Sequence, residues 1–350
     1  MIKELFHFPY ELTQARKAIV AFKNIKKEGF LKDGTYKLYL YGKPIIYNCK
    51  VKEIIDKYPA KYTSLFNRIS LSGQAIDNKT FQADFIMVLA EGEYKLFDIS
   101  SQVVYTKMSD SKKNAIIRGQ LLFKDYFNTT FIREVSNGIV EKYIDYISID
   151  SLQPDKRIIL LEKIIQSYID YTKKNSVMGT ISKESCVQQF KALKIKPVDE
   201  MINGILRYIP EDIQMPSIYQ HGDMHFGNIL IDEQNTYIID FEMFREELFF
   251  YDIMNCLYVE IVDKHKYDLI EWFRSDKTSS NALFRNLFFE MGMNFSCEKK
   301  QEYFAMFLLR RLYSDIIRAI NRLSKNKTKK YLEYLVKKNK VILEYLEEFK

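Results

Sequence analysis

Segments with strand character and segments with helix character occupy different halves of this sequence. Residues 84–108 hold three runs rich in β-branched and aromatic residues, and turn signals at 91–93 and 100–101 separate them. After Asp150 the apolar residues recur every three or four positions, which predicts helices over most of the remaining chain. Because the strands are segregated from the helices, the pattern indicates an α+β fold and not a doubly wound parallel sheet.

The length and charge of the chain allow a sizeable globular protein. At 350 residues with 47% hydrophobic residues, it can form one large domain or two lobes of ordinary size. The net charge is +7, and lysines are dense over residues 324–340. We interpret them as a solvated helix face; the alternative is a phosphate-rich partner such as nucleic acid or a membrane surface, and no aromatic-rich RNA-reading motif or zinc finger supports nucleic acid.

The cysteines and the N-terminus predict a cytoplasmic protein. Cys49, Cys186, Cys256 and Cys297 are far apart in sequence and form no CxxC pair, which is typical of a reducing compartment. The N-terminus has no apolar run of signal-peptide length, and no transmembrane segment is expected, since no stretch is long enough to span a bilayer.

The polar segment HGDMHFGNILID, residues 221–232, interrupts the helical half and precedes a predicted hairpin of strands at 229–232 and 237–240. One interpretation is a metal cage, because Asp223-Met224-His225 is similar to the D-x-H opening of dinuclear metallophosphatases. Such sites need further His and Asp ligands, and His265 is the only histidine downstream. The other interpretation is the catalytic loop of a phosphotransferase.

The spacing of the polar residues favours the phosphotransferase. Asp223 precedes Asn228 by five positions, as the corresponding residues do in the kinase loop H-R-D-x-x-x-x-N. Asp240 follows after the hairpin, whose antiparallel strands would return Asn228 and Asp240 to the same end. We therefore predict that Asp223 is the catalytic base and that Asn228 and Asp240 are Mg²⁺ ligands, since Mg²⁺ prefers such oxygens. The alternative is that all three only cap turns.

Together with YIIDFE at 237–242 and Tyr251-Asp252-Ile253, this loop resembles the aminoglycoside phosphotransferase / choline kinase family, a branch of the protein-kinase-like fold. The resemblance implies a bilobal α+β fold with a β-rich N-lobe and a mostly helical C-lobe. It also implies ATP- and Mg²⁺-dependent phosphorylation of a hydroxyl on a small molecule: an aminoglycoside, an amino alcohol such as choline, or a sugar.

The family's roles can be carried over to the matching positions of the loop. His221 would support the loop's backbone, and His225 would orient the loop or approach the substrate. Glu242 would shape the metal site or the acceptor pocket. Asp252 would fix the loop by hydrogen bonds. Apart from the family's roles, Glu242, Glu246 and Glu247 follow the metal-binding strand and could line an acceptor site for a cationic substrate; the alternative is that they are surface charge.

In the N-lobe, the resemblance requires a lysine for the α- and β-phosphates. Lys107 is the expected residue, and Lys95 is the alternative. Kinases pair this lysine with a glutamate of the following helix, but residues 109–127 contain no glutamate. Gly92 lies in the turn expected over the nucleotide. Glu141 and Tyr143 lie in the segment expected to form the hinge, whose backbone would bind adenine.

The expected organisation has three parts. Residues 1–80, with helices over 10–28 and 51–66 and a hairpin over 35–48, are predicted to extend the N-lobe and pack on it. Residues 81–144 are the predicted nucleotide-binding N-lobe. Residues 145–350 are the predicted C-lobe, with the catalytic loop and the acceptor site. The alternative function is a kinase-like binding module without catalysis; the sequence leaves the acceptor, the choice of ATP or GTP, and the oligomeric state open.

Overall fold

The computed structural model describes residues 2–41, 43–51, 69–73, 81–89, 92–193, 198–276, 279–323 and 325–347. These form two compact units, one of Met1–Ile117 and Thr130–Asp145 and the other of Arg118–Thr129 and Tyr146–Lys350. The first unit is rich in strands and the second is mostly helical, so the predicted α+β class is confirmed. The helix predicted over 51–66 falls almost wholly outside the described residues.

Among its described residues, the first unit contains one antiparallel sheet, one helix and the start of a second. Its elements are α1 (Ile2–Glu28), β1 (Gly34–Tyr41), β2 (Lys43–Asn48), β3 (Ser70–Gly73), β4 (Phe85–Val88), β5 (Tyr94–Asp98), β6 (Val103–Lys107), the start of α2 (Asp110–Phe123), β8 (Phe131–Val135) and β9 (Gly138–Lys142). The short β7 (Asn128–Thr129) belongs to the second unit. The strand order is β3-β1-β2-β4-β5-β6-β9-β8.

Helix α1 covers one face of this sheet because its small and apolar residues recur at helical spacing. Ala15, Ala18, Phe22 and Ile25 are all buried in a cluster with residues of β1, β2, β4 and β5. The helix ends at Gly29, whose φ of 78° is readily adopted only by glycine.

Strands β1 to β3 come from the predicted N-terminal extension. Strand β2 pairs with β4, with Ile45, Ile46 and Tyr47 opposite Met87, Ile86 and Phe85, so the described part of residues 1–80 shares a sheet with the predicted N-lobe. The predicted boundary at residue 80 and the cooperative folding of this segment with the N-lobe stay predictions.

The second unit contains eight helices among its described residues and two small sheets. The helices are α3 (Pro154–Lys174), α4 (Lys183–Leu193), α5 (Asp199–Leu206), α6 (Tyr251–Lys264), α7 (Asp268–Arg274), α8 (Ser280–Glu290), α9 (Lys300–Arg322) and α10 (Lys325–Glu347). The strands are β10 (Gly179–Ser182), β11 (Gln214–Gln220), β12 (Ile229–Ile231), β13 (Thr236–Ile238) and β14 (Arg245–Leu248), ordered β10-β11-β14 and β12-β13-β7.

Helix α6 lies at the centre of this unit. Every residue from Tyr251 to Val262 is buried, as expected of a helix that is surrounded by protein on all sides. The long α9 packs against α4, α5, α6 and α10. The predicted catalytic loop lies against the buried helix α6. Among the described residues, no helix is both long and apolar enough to cross a membrane.

Candidate active site

The segment 221–228 connects β11 to β12, and its second residue requires a glycine. Gly222 has a φ of 82°, and a Cβ atom there would lie 2.1 Å from the carbonyl oxygen of Met243. Both the backbone conformation and the lack of space exclude larger residues. This close approach brings the loop against the segment that follows Asp240.

Helix α6 holds the loop through its backbone. The carboxylate of the fully buried Asp252 accepts hydrogen bonds from the N–H groups of His221 at 2.6 Å and Gly222 at 2.9 Å, and from the Tyr168 hydroxyl at 2.5 Å. Burial raises the pKa of Asp252 above its ordinary value, although His221 and these hydrogen bonds act in the opposite direction. One helical turn later, Asn255 Nδ2 donates to the Met224 carbonyl oxygen at 2.8 Å.

The side chain of His221 links the loop to the strand that precedes Asp240. Its Nε2 lies 2.8 Å from the carbonyl oxygen of Ile239, and its Nδ1 accepts a hydrogen bond from the N–H of Asp223 at 3.3 Å. These partners select the tautomer with the proton on Nε2, because Nδ1 must be an acceptor. The structure thus places His221 in a backbone-supporting position, completely buried and out of contact with solvent.

The hairpin of β12 and β13 brings Asn228 and Asp240 to the same end. Ile229 pairs with Ile238, and the carbonyl oxygen of Asn228 accepts a further hydrogen bond from Ile239 N at 3.0 Å. Strand β13 ends at Ile238, two residues earlier than the sequence predicts, because Asp240 adopts the left-handed conformation with φ 67° and ψ 53°. The buried Phe241 then packs edge-on against Phe123.

The donor chemistry of Asn228 and Asp240 fits Mg²⁺. Asn228 Nδ2 donates to the Asp223 carbonyl oxygen at 2.9 Å, which fixes the amide and leaves its oxygen to act as a ligand. Asp240 makes no capping hydrogen bond with its side chain, and a non-glycine residue in its backbone conformation is typical of a functional site. Within the described residues no group of three His, Cys, Asp or Glu side chains is arranged to bind a metal.

Asp223 is held by a residue that sequence reasoning did not single out. Arg311, from α9, donates from Nη1 to Asp223 Oδ1 at 2.8 Å. Burial is the largest influence on Asp223 and would raise its pKa, but the charge and hydrogen bond of Arg311, with smaller contributions from His225 and Arg318, lower the pKa to about 2. Asp223 is therefore ionised at neutral pH.

His225 begins the short 3₁₀ turn Phe226–Asn228, where its Nδ1 accepts a hydrogen bond from Gly227 N at 3.0 Å. Burial, followed by the charges of His221 and Arg311, lowers its pKa below the ordinary value, although Asp223 and Asp240 oppose this. The imidazole is therefore neutral at neutral pH and orients the loop that carries Asn228.

Glu242 and Glu246, two of the glutamates expected at an acceptor site, lie on separate elements. Glu242 is half-buried in the 3₁₀ turn Phe241–Met243, directly after Asp240. Glu246 is exposed on β14 and accepts a hydrogen bond from the Ser217 hydroxyl. The neighbouring Glu247 is buried and pairs with Arg310 at 2.7 Å, so its role is internal to the fold.

One protein-family model matches the part of the second unit that contains this loop. Residues 185–271 match the model of the phosphotransferase enzyme family, over about a quarter of the 350-residue chain. The match confirms the resemblance to this phosphotransferase family. Together with the loop geometry, it supports a small-molecule phosphotransferase.

Solved structures similar to this chain are distant. The GDP complex of aminoglycoside 2'-phosphotransferase-IIIa is 12% identical with a TM-score of 0.49, and the alignment covers 83% of this chain and 97% of that one. A choline/ethanolamine kinase family protein from Mesorhizobium loti is 14% identical (TM-score 0.44; 73% and 85% covered). Choline kinase LicA from Streptococcus pneumoniae is 13% identical (TM-score 0.43; 72% and 92% covered). Comparison with curated protein sequences gave no match.

In the first unit, Lys107 has an acidic partner that the phosphotransferase family pattern did not indicate. Its Nζ lies 3.1 Å from Glu28 Oε1, at the end of α1, and the same carboxylate accepts a hydrogen bond from the Tyr94 hydroxyl at 2.7 Å. The Lys107 side chain is about one-third exposed. The glutamate that pairs with Lys107 among the described residues is thus Glu28 and not a residue of α2.

The helix that lacks a glutamate instead contributes a lysine. Lys112, on α2, pairs at 2.6 Å with Glu93, which is buried and also accepts a hydrogen bond from Ser109 N. This pairing neutralises one of the two glutamates of the predicted nucleotide turn. Gly92, beside it, is exposed with a φ of 79° and has open space around its Cα; residues 90–91 lie outside the described residues.

The predicted hinge residues are tied into the sheet of the first unit. Glu141 is buried, and its carboxylate accepts hydrogen bonds from the Thr130 hydroxyl at 2.8 Å and the Thr106 hydroxyl at 3.5 Å. The backbone N–H of Tyr143 donates to Gln102 at 2.8 Å. That N–H is thus used within the protein and is not available to donate to adenine.

Two of these residues, Arg311 and Glu28, were missed because their partners are distant in sequence. Arg311 did carry a signal, since FAMFLLRRLY places two arginines in an apolar helical run, and a buried charge requires partners. Glu28 precedes the glycine that ends α1 and carries no comparable signal.

Proposed function

We propose that this protein is a small-molecule kinase that transfers the γ-phosphate of ATP to a hydroxyl group in a Mg²⁺-dependent reaction. The observation that carries the proposal is the joint placement of Asp223, Asn228 and Asp240. Hydrogen bonds between the loop, the hairpin and α6 hold these three residues at one end of the hairpin. If these three residues only capped turns, hydrogen bonds that hold all of them at one end of the hairpin would not be needed.

In this proposal Asp223 is the residue that meets the acceptor. It is ionised at neutral pH, so it accepts a hydrogen bond from the acceptor hydroxyl and takes its proton as the new O–P bond forms. Because a base with so low a pKa is weak, its main contribution is the orientation of the hydroxyl. His221 and His225 hold the loop and do not exchange protons with the acceptor.

Asn228 and Asp240 are the proposed Mg²⁺ ligands. Bound Mg²⁺ would neutralise the charge of the nucleotide's phosphates. Lys107, Gly92, Glu141 and Tyr143 remain the proposed nucleotide contacts, Tyr143 through groups other than its N–H, with Glu28 as the partner that orients Lys107.

Glu242 and Glu246 are the proposed acceptor contacts. Glu242 follows the metal ligand directly, and the exposed carboxylate of Glu246 offers a partner for an amino group. The proposed acceptors are hydroxylated compounds. Aminoglycosides and amino alcohols carry an amino group that could pair with Glu246, whereas sugars without a charge are the acceptors with which to compare them. We also propose a cytoplasmic location, where ATP is available; the four cysteines, all unpaired, are compatible with it.

The test is ADP release from the full chain against panels of aminoglycosides, amino alcohols and sugars, with ATP and with GTP. For an accepted substrate, Asp223→Asn should lower turnover about 10²–10⁴-fold without loss of fold. The matched control is Asp232→Asn in the turn of the same hairpin, where Asp232 accepts hydrogen bonds from Gln234 N and Asn235 N. Its turnover should stay near that of the wild type.

Two results would contradict the proposal. Near wild-type turnover in Asp223→Asn would remove Asp223 from its role. A wild-type chain that is stabilised by MgATP but releases no ADP with any acceptor would instead be a kinase-like binding module.

A further inference from the structure

The guanidinium of Arg311 connects the catalytic loop to two helices. Nη1 donates to Asp223 Oδ1 and to Asn255 Oδ1, each at 2.8 Å, and Nε donates to Asp315 Oδ2 at 3.2 Å. The same group lies over the ring of Tyr258, 5.6 Å from its centroid. Arg311 is only 9% exposed, so these contacts fix its position from several sides.

A guanidinium fixed in this way restrains the carboxylate that it binds. Its N–H groups lie in one plane at set angles, so Asp223 cannot rotate without loss of a buried charged hydrogen bond. Asn255 adds a second restraint, because it binds Arg311 through Oδ1 and the Met224 carbonyl oxygen through Nδ2. The loop backbone and the Asp223 side chain are therefore set by the same pair of residues.

The consequence concerns the two oxygens of Asp223. Arg311 occupies Oδ1, whereas Oδ2 receives no hydrogen bond from the described part of the chain. Asp223 retains a side-chain exposure of 23%, which leaves the carboxylate accessible on one side. An incoming hydroxyl would thus meet Oδ2.

We propose that Arg311 is a positioning residue for phosphoryl transfer, which binds Asp223 by Oδ1 so that Oδ2 is presented to the acceptor hydroxyl. This inference rests on the proposed kinase function and goes beyond it, because it assigns a role to a residue outside the loop motif. In this role Arg311 acts through Asp223 and not by contact with the reacting groups.

The adjacent Arg310 provides a matched control on the same helix. It is also an arginine in an ion pair with a buried carboxylate, since its Nε and Nη2 donate to Glu247 at 3.0 Å and 2.7 Å. Its partners are on β14 and α4 and do not include Asp223. Loss of Arg310 should therefore weaken the fold but should not affect the orientation of Asp223.

The experiment is a double-mutant cycle on kcat with Arg311→Met and Asp223→Asn in the full chain. Arg311→Met alone should lower kcat about 10²-fold, because a small misplacement of a reacting group has an effect of this size, with the KM for MgATP unchanged. In the Asp223→Asn background the same substitution should cause no further loss. Arg311→Lys, which keeps the charge but not the planar donors, should recover part of kcat, and Arg310→Met should keep it.

A second variant covers the case in which Arg311→Met does not fold. Arg311→Met/Asp315→Asn removes the carboxylate that would otherwise be left buried without a counter-charge, and it should show the same loss of kcat. Multiplicative losses in the Arg311 and Asp223 cycle, or an equal loss of kcat in Arg310→Met, would overturn the inference while the proposed kinase function stood.

A readout without turnover separates the two proposals. The free energy of unfolding, measured for the same cycle of Arg311→Met and Asp223→Asn, should show favourable coupling between the two residues. If no acceptor is turned over, the proposed function fails while this coupling is still measured. If the coupling is absent, the positioning inference fails whether or not an acceptor is found.

Discussion

The predicted catalytic loop and the predicted phosphate-binding lysine are supported in opposite ways. The loop is fixed by buried groups: Asp252 accepts three hydrogen bonds beneath it, and Asn255 binds its backbone. Among the described residues, Lys107 is held by an ion pair with Glu28, in which both side chains are about one-third exposed, and its ammonium lies over the ring of Tyr94, 5.2 Å from the centroid. Asp223, the residue expected to meet the acceptor, therefore lies on a rigidly held loop. Lys107, the cation expected to meet the phosphates, can exchange Glu28 for another partner at little cost in free energy.

The largest expected effect tests whether the loop is held by buried groups, and it comes from removal of the Asp252 carboxylate. Asp252→Ala should lower the free energy of unfolding by about 3–5 kcal/mol, because it leaves buried donors without an acceptor. The control is Asp263→Ala near the end of the same helix, where Asp263 pairs with Lys338 at 2.7 Å and is 42% exposed. Its effect should be about 1 kcal/mol or less. Urea unfolding is the measurement, and equal effects of the two substitutions would contradict the assigned support.

A smaller effect on stability is expected at Asp240, where two substitutions separate the role of the backbone conformation from the role of the carboxylate. Because φ is 67°, Asp240→Gly should be about 1 kcal/mol more stable than Asp240→Ala. Both should lose Mg²⁺-dependent nucleotide binding to the same extent, because both lack the carboxylate. Urea unfolding and calorimetric titration with MgATP give the two quantities. Unchanged MgATP affinity in either variant would show that Asp240 is not a metal ligand.

The smallest effect on stability is expected at Glu28. Since its ion pair with Lys107 is partly exposed, Glu28→Gln should change the free energy of unfolding by less than about 1 kcal/mol. The binding free energy for ATP, measured by calorimetry, should change by more than the free energy of unfolding, because Lys107 would lose the group that orients it. A large loss of stability would mean that Glu28 is a structural residue of the β-rich unit and would remove the contrast with the loop.

Much of the fold could be predicted from the sequence because the signals were local. The strands over 84–108, the helix that begins near residue 110 and the hairpin after Asn228 all depend on residue periodicity and turn residues within short segments. Helices α4 and α5 are separate elements, and the local signal for this is Pro197, which lies between them in the sequence, because proline disfavours a continuous helix.

The placement of the catalytic segment was predictable for the same reason. The hairpin of β12 and β13 alone brings Asn228 and Asp240 together. By contrast, Arg311 and Asp223 are 88 residues apart, and Glu28 and Lys107 are 79 apart. Neither contact follows from local spacing, because each depends on how long helices pack on the rest of their unit.

The left-handed backbone at Asp240 has a consequence for the history of such a chain. A single base change converts an aspartate codon into a glycine codon, and glycine is the residue that this backbone accommodates best. A gene copy could therefore lose the proposed metal ligand in one step while its product folded as well as before. Related proteins that keep the fold but have lost catalytic activity should therefore arise readily through this substitution. A glycine at the position of Asp240 would identify them.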